Sequence, residues 1–235
     1  MSDFSDLSDH SPLWVVIPCA GSGSRMQQST PKQYLPLLDA TVIEATLSCF
    51  TQRVDVKHIL IAVDDQARFL DRVQLPPKVS LVDGGLTRAE SVQNALSMIA
   101  DENALVAVHD AARPCLRQSR LDQLFLVAQN NAQGALFVEP CAQTAKRVID
   151  RQIIETLDRS SIYFSQTPQV FPLALLQKAF QQVELSAVTD ECQAIESLGF
   201  TPAMVESDKE NIKITYPIDL YIAEQLLLKI REDES

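Results

Sequence analysis

Short apolar runs alternate along this chain with longer segments in which apolar residues recur every three or four positions. Leu13-Trp14-Val15-Val16-Ile17 has the length and β-branched content of a buried strand. Val42 to Phe50 follows with helical spacing, placing Ile43, Leu47 and Phe50 on one side. A second strand is predicted from His58 to Val63, ending at Asp64-Asp65, and a third from Val79 to Val82, running into Asp83-Gly84-Gly85. Arg88 to Ile99 reads as a helix with Val92, Ala95, Leu96 and Ile99 inward. Leu105 to Val108 is the next strand, leading into His109-Asp110-Ala111-Ala112-Arg113-Pro114; Leu121 to Gln129 is helical and Ala135 to Val138 is again a strand. This alternation predicts an α/β fold with a parallel sheet covered by helices on both faces. Ligands of such sheets bind beyond the carboxyl ends of the strands. Each polar motif here begins just after a predicted strand.

The alternation breaks at 141–158, which reads as two short strands around a polar turn. A two-stranded arm is marginal by itself, so it is expected to pack on something, and a second copy of the chain is the obvious candidate. Beyond it come Thr167-Pro168-Gln169, a helix from Pro172 to Gln182, and Thr189-Asp190-Glu191, with Thr189 as the expected N-cap of a helix ending at Gly199. Two short strands are predicted around Ala203 to Glu206 and Asn211 to Thr215. A last helix, Pro217 to Ile230, opens with proline in its first turn.

Length and composition narrow the reading. With 235 residues, 46% of them hydrophobic, the chain can bury the core of one domain, taken as 13–235, with 1–12 as a flexible acidic lead-in and 141–158 as a dimerisation arm. No apolar run reaches the roughly 18 residues that span a bilayer, and the first dozen residues lack a signal-peptide pattern. A cytoplasmic protein without membrane contact is expected. A net charge of −11 argues against a nucleic-acid surface. Any anionic substrate must therefore meet a local cluster of cations. The five cysteines are scattered, odd in number and never paired as Cys-x-x-Cys, which excludes a disulfide framework or zinc site. Cys19 stands out, because nearby cations are expected to lower its pKa and make it reactive.

Candidate chemistry concentrates after the first strand. Gly21 and Gly23 permit a tight turn whose backbone N–H groups can face phosphate oxygens, and Arg25 and Lys32 add two cations. A nucleoside triphosphate fits this stretch. A dinucleotide fingerprint would need glycine at Met26, and a P-loop would need a Gly-Lys pair that the chain lacks. On the loop alone, an ordinary Gly/Ser connection explains the residues equally well. Of six glycines, Gly21, Gly23, Gly84 and Gly85 fall in two post-strand loops, while Gly134 and Gly199 are expected to end helices. Three histidines offer no Ser-His-Asp triad, and His109 reads as structural rather than as a base. Pairing of Asp110 with Arg113 is explained as well by structure as by catalysis.

Together, Pro18-Cys19-Ala20-Gly21-Ser22-Gly23-Ser24-Arg25-Met26, Pro31-Lys32-Gln33-Tyr34, Asp83-Gly84-Gly85 with Arg88 and Ser91, the 109–114 motif, Thr167-Pro168-Gln169, Thr189-Asp190-Glu191 and Asn211-Ile212-Lys213 follow one another in an order that resembles the 2-C-methyl-D-erythritol 4-phosphate cytidylyltransferases of the non-mevalonate isoprenoid pathway. The resemblance runs from about Trp14 to the last helix. It implies a Rossmann-like nucleotidyltransferase fold, mostly parallel and flanked by helices, with a protruding β-arm. It implies CTP and a sugar-alcohol phosphate as substrates, Mg²⁺ as cofactor, and a homodimer. Cys19, Ala20, Gly21, Ser22 and Gly23 would cradle the nucleotide with Gly85, Arg88 and Ser91, and Arg25, Lys32 and Lys213 would be the catalytic cations. Asp110, Arg113, Thr167 and Thr189 would face the sugar phosphate, Asp110 also the metal. Thr144 and Arg159 would reach the site of the partner subunit. Cys19 stands where the family often has alanine, and Leu86 where it often has an acid. The alternatives are a ribitol 5-phosphate cytidylyltransferase, which shares fold and most motifs, and a non-catalytic nucleotide-binding protein.

Overall fold

The computed structural model describes residues 11–21 and 30–234; the expected site residues Ser22, Gly23 and Arg25 lie outside the described residues. The strands are β1 (Leu13–Pro18), β2 (Pro36–Leu37), β3 (Ala40–Thr41), β4 (Val56–Val63), β5 (Val79–Asp83), β6 (Leu105–Val108), β7 (Ala135–Pro140), β8 (Lys146–Ile149), β9 (Gln152–Thr156), β10 (Tyr163–Pro172) and β11 (Ala203–Glu206). The helices are α1 (Val42–Thr51), α2 (Gln66–Leu70), α3 (Arg88–Ser97), α4 (Gln118–Gln129), α5 (Leu173–Gln182), α6 (Glu191–Ser197) and α7 (Pro217–Asp233).

Seven strands form one sheet in the order β11-β7-β10-β6-β1-β4-β5. β1 lies inside it, between β6 and β4 and parallel to both, and β4 is parallel to β5. Side chains of β1 alternate: Leu13, Val15 and Ile17 join a core with Leu47 and Phe50 of α1 and Leu121, Leu124 and Phe125 of α4. Val16 points the other way, into a core with Val92 and Leu96 of α3, Leu176 and Phe180 of α5 and Ile195 of α6. Covered on both faces, these strands read as continuous apolar runs.

β10 is the element that periodicity misses. It runs antiparallel between β6 and β7, so the sheet is mixed, not wholly parallel. Its sequence is polar from Ser165 to Gln169 and carries two prolines, Pro168 and Pro172. Proline is accommodated because the β7 register shifts between Ser165 and Gln169, which removes the need for a ladder hydrogen bond there.

Three local expectations are corrected. Asn211 to Thr215 is not a strand; the Asn211 carbonyl accepts from Arg113 Nη1, and the Ile214 amide donates to the Ala112 carbonyl, so other partners occupy its backbone. Gly134 does not end a helix: α4 is capped at Asn130, and Gly134 turns the chain into β7 with φ of 78°. The N-cap of α6 is Asp190, whose carboxylate accepts from the Gln193 amide, and not Thr189. α7 packs Ala223, Leu227 and Ile230 over Leu37, Val42 and Ile214, which holds the 211–215 segment against the body. The β8–β9 hairpin forms a separate two-stranded arm.

Candidate active site

A cleft of about 340 Å³ opens at the carboxyl ends of β1, β5 and β6. Pro18 to Gly21, Lys32 and Gln33 form one wall; Gly85 to Arg88 and Ser91 form another; Asp110 to Ala112, Lys213 and Thr215 close the floor. Cys19, Ala20, Gly21, Lys32, Gly85, Arg88, Ser91, Asp110 and Lys213 therefore come together, though the sequence spreads them over nearly two hundred positions.

Asp110 is the electrostatic centre. Its Oδ1 accepts from Arg88 Nε at 3.2 Å, and its Oδ2 lies 2.8 Å from Lys213 Nζ and 3.4 Å from Arg113 Nε. Burial alone would raise its pKa, but Arg88, Lys213 and Arg113 outweigh burial and hold the carboxyl well below the usual carboxylate range. Counting the Glu191 carboxylate that also holds Arg88, three cations face two carboxylates, so a net positive charge remains at the floor to receive anions. Lys32 adds to it from another direction: its Nζ donates to the Ile214 carbonyl at 2.7 Å, beside Lys213.

Arg88 also reaches away from the cleft. Its Nη1 and Nη2 donate to Oε1 and Oε2 of Glu191 at 2.6 and 3.1 Å, a bidentate fork onto a fully buried carboxylate. Glu191 is the residue that sequence reasoning missed. An acid in the first turn of a helix is sufficiently explained by the helix dipole, and nothing local marks it as a partner of Arg88.

Behind the floor runs a directed hydrogen-bond chain. His109 Nε2 lies 2.9 Å from the Arg113 carbonyl, which can only accept, so that nitrogen carries the proton. Nδ1 then accepts from the Thr167 hydroxyl at 3.1 Å, and Thr167 Oγ1 accepts the Asp110 amide at 3.0 Å. Burial pushes the His109 pKa down to about 4, which keeps the ring neutral and this polarity fixed. His109 is structural, as its sequence context suggested. Thr167 is buried with its hydroxyl spent on this chain, so it supports Asp110 from behind and does not line the cleft.

The two glycine loops meet directly. A Cβ at Gly84 would lie 2.7 Å from the Ala20 side chain, so glycine lets the loops touch. Gln33 Nε2 donates to the carbonyls of Cys19 and Gly21 at 3.1 and 3.3 Å, fixing the first loop from below. The Ser91 hydroxyl accepts from the Gly85 amide at 3.0 Å and donates to the Thr87 carbonyl at 2.9 Å. It shapes the second loop. Cys19 is not an activated thiol: burial and the nearby Asp64 carboxylate push it up to about 12.

Thr144, Arg159 and Thr189 stand outside this cleft. Thr144 is exposed beside the arm, Arg159 donates from its exposed side chain to the Ala142 carbonyl at 2.5 Å, and Thr189 Oγ1 bonds Gln193 Oε1 at 3.0 Å. Among the described residues no group of three or more His, Cys, Asp or Glu converges to hold a metal. No helix among them is long and apolar enough to cross a membrane.

Comparison with known proteins identifies this architecture. The family model of 2-C-methyl-D-erythritol 4-phosphate cytidylyltransferase matches residues 13–229. The chain belongs to that family. It is 44% identical over 218 residues to the 2-C-methyl-D-erythritol 4-phosphate cytidylyltransferase of Haemophilus influenzae (strain ATCC 51907 / DSM 11121 / KW20 / Rd), covering 92% of this chain and 96% of the relative. The Mannheimia succiniciproducens enzyme of the same name is 43% identical over 218 residues, covering 91% of this chain and 95% of its own. The crystal structure of the Francisella tularensis 2-C-methyl-D-erythritol 4-phosphate cytidylyltransferase superposes with a TM-score of 0.82 at 33% identity, over 92% of this chain and all of that one. Membership in this cytidylyltransferase family makes the chain a nucleotidyltransferase, an enzyme of isoprenoid biosynthesis, with the mostly parallel α/β fold expected of it.

Proposed function

We propose that the chain transfers a cytidylyl group from CTP to the phosphate of 2-C-methyl-D-erythritol 4-phosphate, giving 4-diphosphocytidyl-2-C-methyl-D-erythritol and pyrophosphate. A phosphate oxygen of the acceptor forms a bond to the α-phosphorus of CTP. The bond to the bridging oxygen of the β-phosphate breaks, and its electron pair leaves with pyrophosphate. Both reactants are anions, so fixed positive charge and alignment are the main tasks of the protein. The observation that carries this reading is the convergence of Lys213, Arg88 and Arg113 on the carboxylate of Asp110, with Lys32 held beside Lys213 through the Ile214 carbonyl.

In this reading Cys19, Ala20 and Gly21 border the triphosphate through backbone, and Lys32 and Lys213 neutralise charge growing at the α-phosphorus. Arg25, placed by sequence alone in the same loop, joins them. Asp110 offers one carboxylate at the cleft, which suits a metal ion held mainly by substrate phosphates and water. Asp110 would be the residue to hold Mg²⁺, which would supply positive charge to offset that of the substrate phosphates. The acceptor would lie toward Asp110 and Arg113.

The arm carries the dimer. Its strands are exposed throughout, with Val148, Ile149, Ile153 and Ile154 each more than half accessible, an apolar surface that a second copy would cover. Thr144 and Arg159 at its base would then serve the partner's cleft. The cytoplasm suits five cysteines that are all unpaired. The test is pyrophosphate release from CTP and Mg²⁺ with methylerythritol phosphate or ribitol 5-phosphate as acceptor. Turnover with the first and little with the second is expected; the reverse preference would replace the acceptor, and none with either would end the reading.

A further inference from the structure

We infer that Glu191 is a positioning residue for this reaction, acting through Arg88 to fix the carboxylate of Asp110. The inference rests on the cytidylyl-transfer reading for its kinetic consequence, and on geometry alone for the arrangement itself.

Arg88 was expected to contact nucleotide, yet its guanidinium is a strut between two carboxylates. Both terminal nitrogens engage Glu191, and Nε engages Asp110 Oδ1. A planar fork held at two corners has no rotational freedom left, so the third corner is aimed. What anchors Glu191 is equally specific. It is the first residue of α6, and Gln169 of β10 grips that helix start on both sides: Oε1 accepts the Cys192 amide at 2.8 Å, and Nε2 donates to Asp190 Oδ2 at 3.0 Å. Position thus passes from β10 to α6, to α3, to the loop after β6. Two family motifs without any residue lining the cleft, Thr167-Pro168-Gln169 and Thr189-Asp190-Glu191, acquire a purpose there.

Charge supports the same conclusion. Arg88, which still borders the cleft, and the fully buried Glu191 nearly cancel in charge, so Glu191 does not draw Lys213 away from substrate phosphates and Arg88 stays held where it lines the cleft. A buried ion pair is weak evidence for stability, since apolar residues of similar volume often serve as well. Its geometry is what the site uses.

The test uses the full chain. E191Q keeps the volume but sets an amide N–H₂ against an arginine donor, which breaks the fork. Turnover should fall roughly 10- to 100-fold while KM for CTP stays within about threefold, and E191D, which keeps the charge, should recover part of the loss. The double variant E191M/R88M should regain the thermal stability lost in E191Q without regaining turnover. Wild-type turnover from E191Q or from the double variant would overturn the inference. A loss confined to KM for CTP would overturn it too, since Arg88 would then be a direct nucleotide contact. A readout independent of the reaction is hydrogen exchange at Arg88 Nε–H, slow in the wild type and fast in E191Q. Unchanged exchange refutes the strut even if the enzyme acts on another acceptor, whereas an inactive wild type with the exchange difference intact refutes only the reading of function.

Discussion

Lys32 and Ile214, 182 residues apart, are joined by a hydrogen bond of 2.7 Å from Nζ to the backbone carbonyl. The contact places the Lys32 ammonium beside the peptide that presents Lys213, so two cations from opposite ends of the chain bear on one small volume. If they act on charge that develops only as the α-phosphorus reacts, Lys32→Ala should lower kcat roughly 100-fold and change KM for CTP by less than about threefold. Initial rates over a range of CTP concentrations decide it. Equal effects on both constants would assign Lys32 to ground-state binding.

His109 makes stability depend on pH in a definite window. Its pKa is depressed to about 4 by burial, with Phe50, Thr167, Asp110, Arg113 and Arg88 around it. The folded ring therefore refuses a proton that the unfolded chain takes up once pH drops below about 6.5. Stability is fully present above that value and falls as pH goes from 6.5 to 4, by up to about 3 kcal/mol from this group. The depressed Asp110 adds its own loss only below the ordinary carboxylate range, so the two are separable. Urea unfolding at pH 7, 5.5 and 4.5 should show the slope in the wild type and a flatter one in His109→Gln.

The arm yields the third prediction. Val148 faces Ile153 across the hairpin, and both are exposed. A buried aspartate in a dimer contact is costly, so if the arm seats a second copy as proposed, the wild type should sediment as a dimer at micromolar concentration and Ile153→Asp as a monomer. Turnover should fall at least tenfold, since Thr144 and Arg159 would no longer serve a partner. A monomeric variant of full activity would detach the arm from catalysis.

Strands β1, β4, β5 and β6 could be read from sequence because burial on both faces leaves an apolar run that few other structures produce. Lys32, Asp110 and Lys213 could be read because each follows such a strand or sits in a motif with a chemical reason for its residue types. β10 could not, since its polar middle and Pro168 are tolerated only by a register shift that no periodicity reports. Asn211 to Thr215 looks like a strand because it alternates, but its backbone is claimed by Arg113 and Ala112. Glu191 was hidden for another reason: a glutamate at a helix start has a sufficient local explanation, and its actual partner lies 103 positions away. Cys19 was misjudged because adjacency in sequence to cations says nothing of burial.

The antiparallel strand between β6 and β7 also orders the assembly of the molecule. β1, β4, β5 and β6 can pair as soon as the chain has passed Val108, but β7 shares no ladder with any of them. Only when Tyr163 to Pro172 is laid down, after the arm has been made and the chain has reversed, are the two halves zipped into one sheet. A nascent or truncated chain ending before Tyr163 would therefore present three raw strand edges, one of β6 and both of β7, to its neighbours, and such fragments should aggregate where the full chain does not.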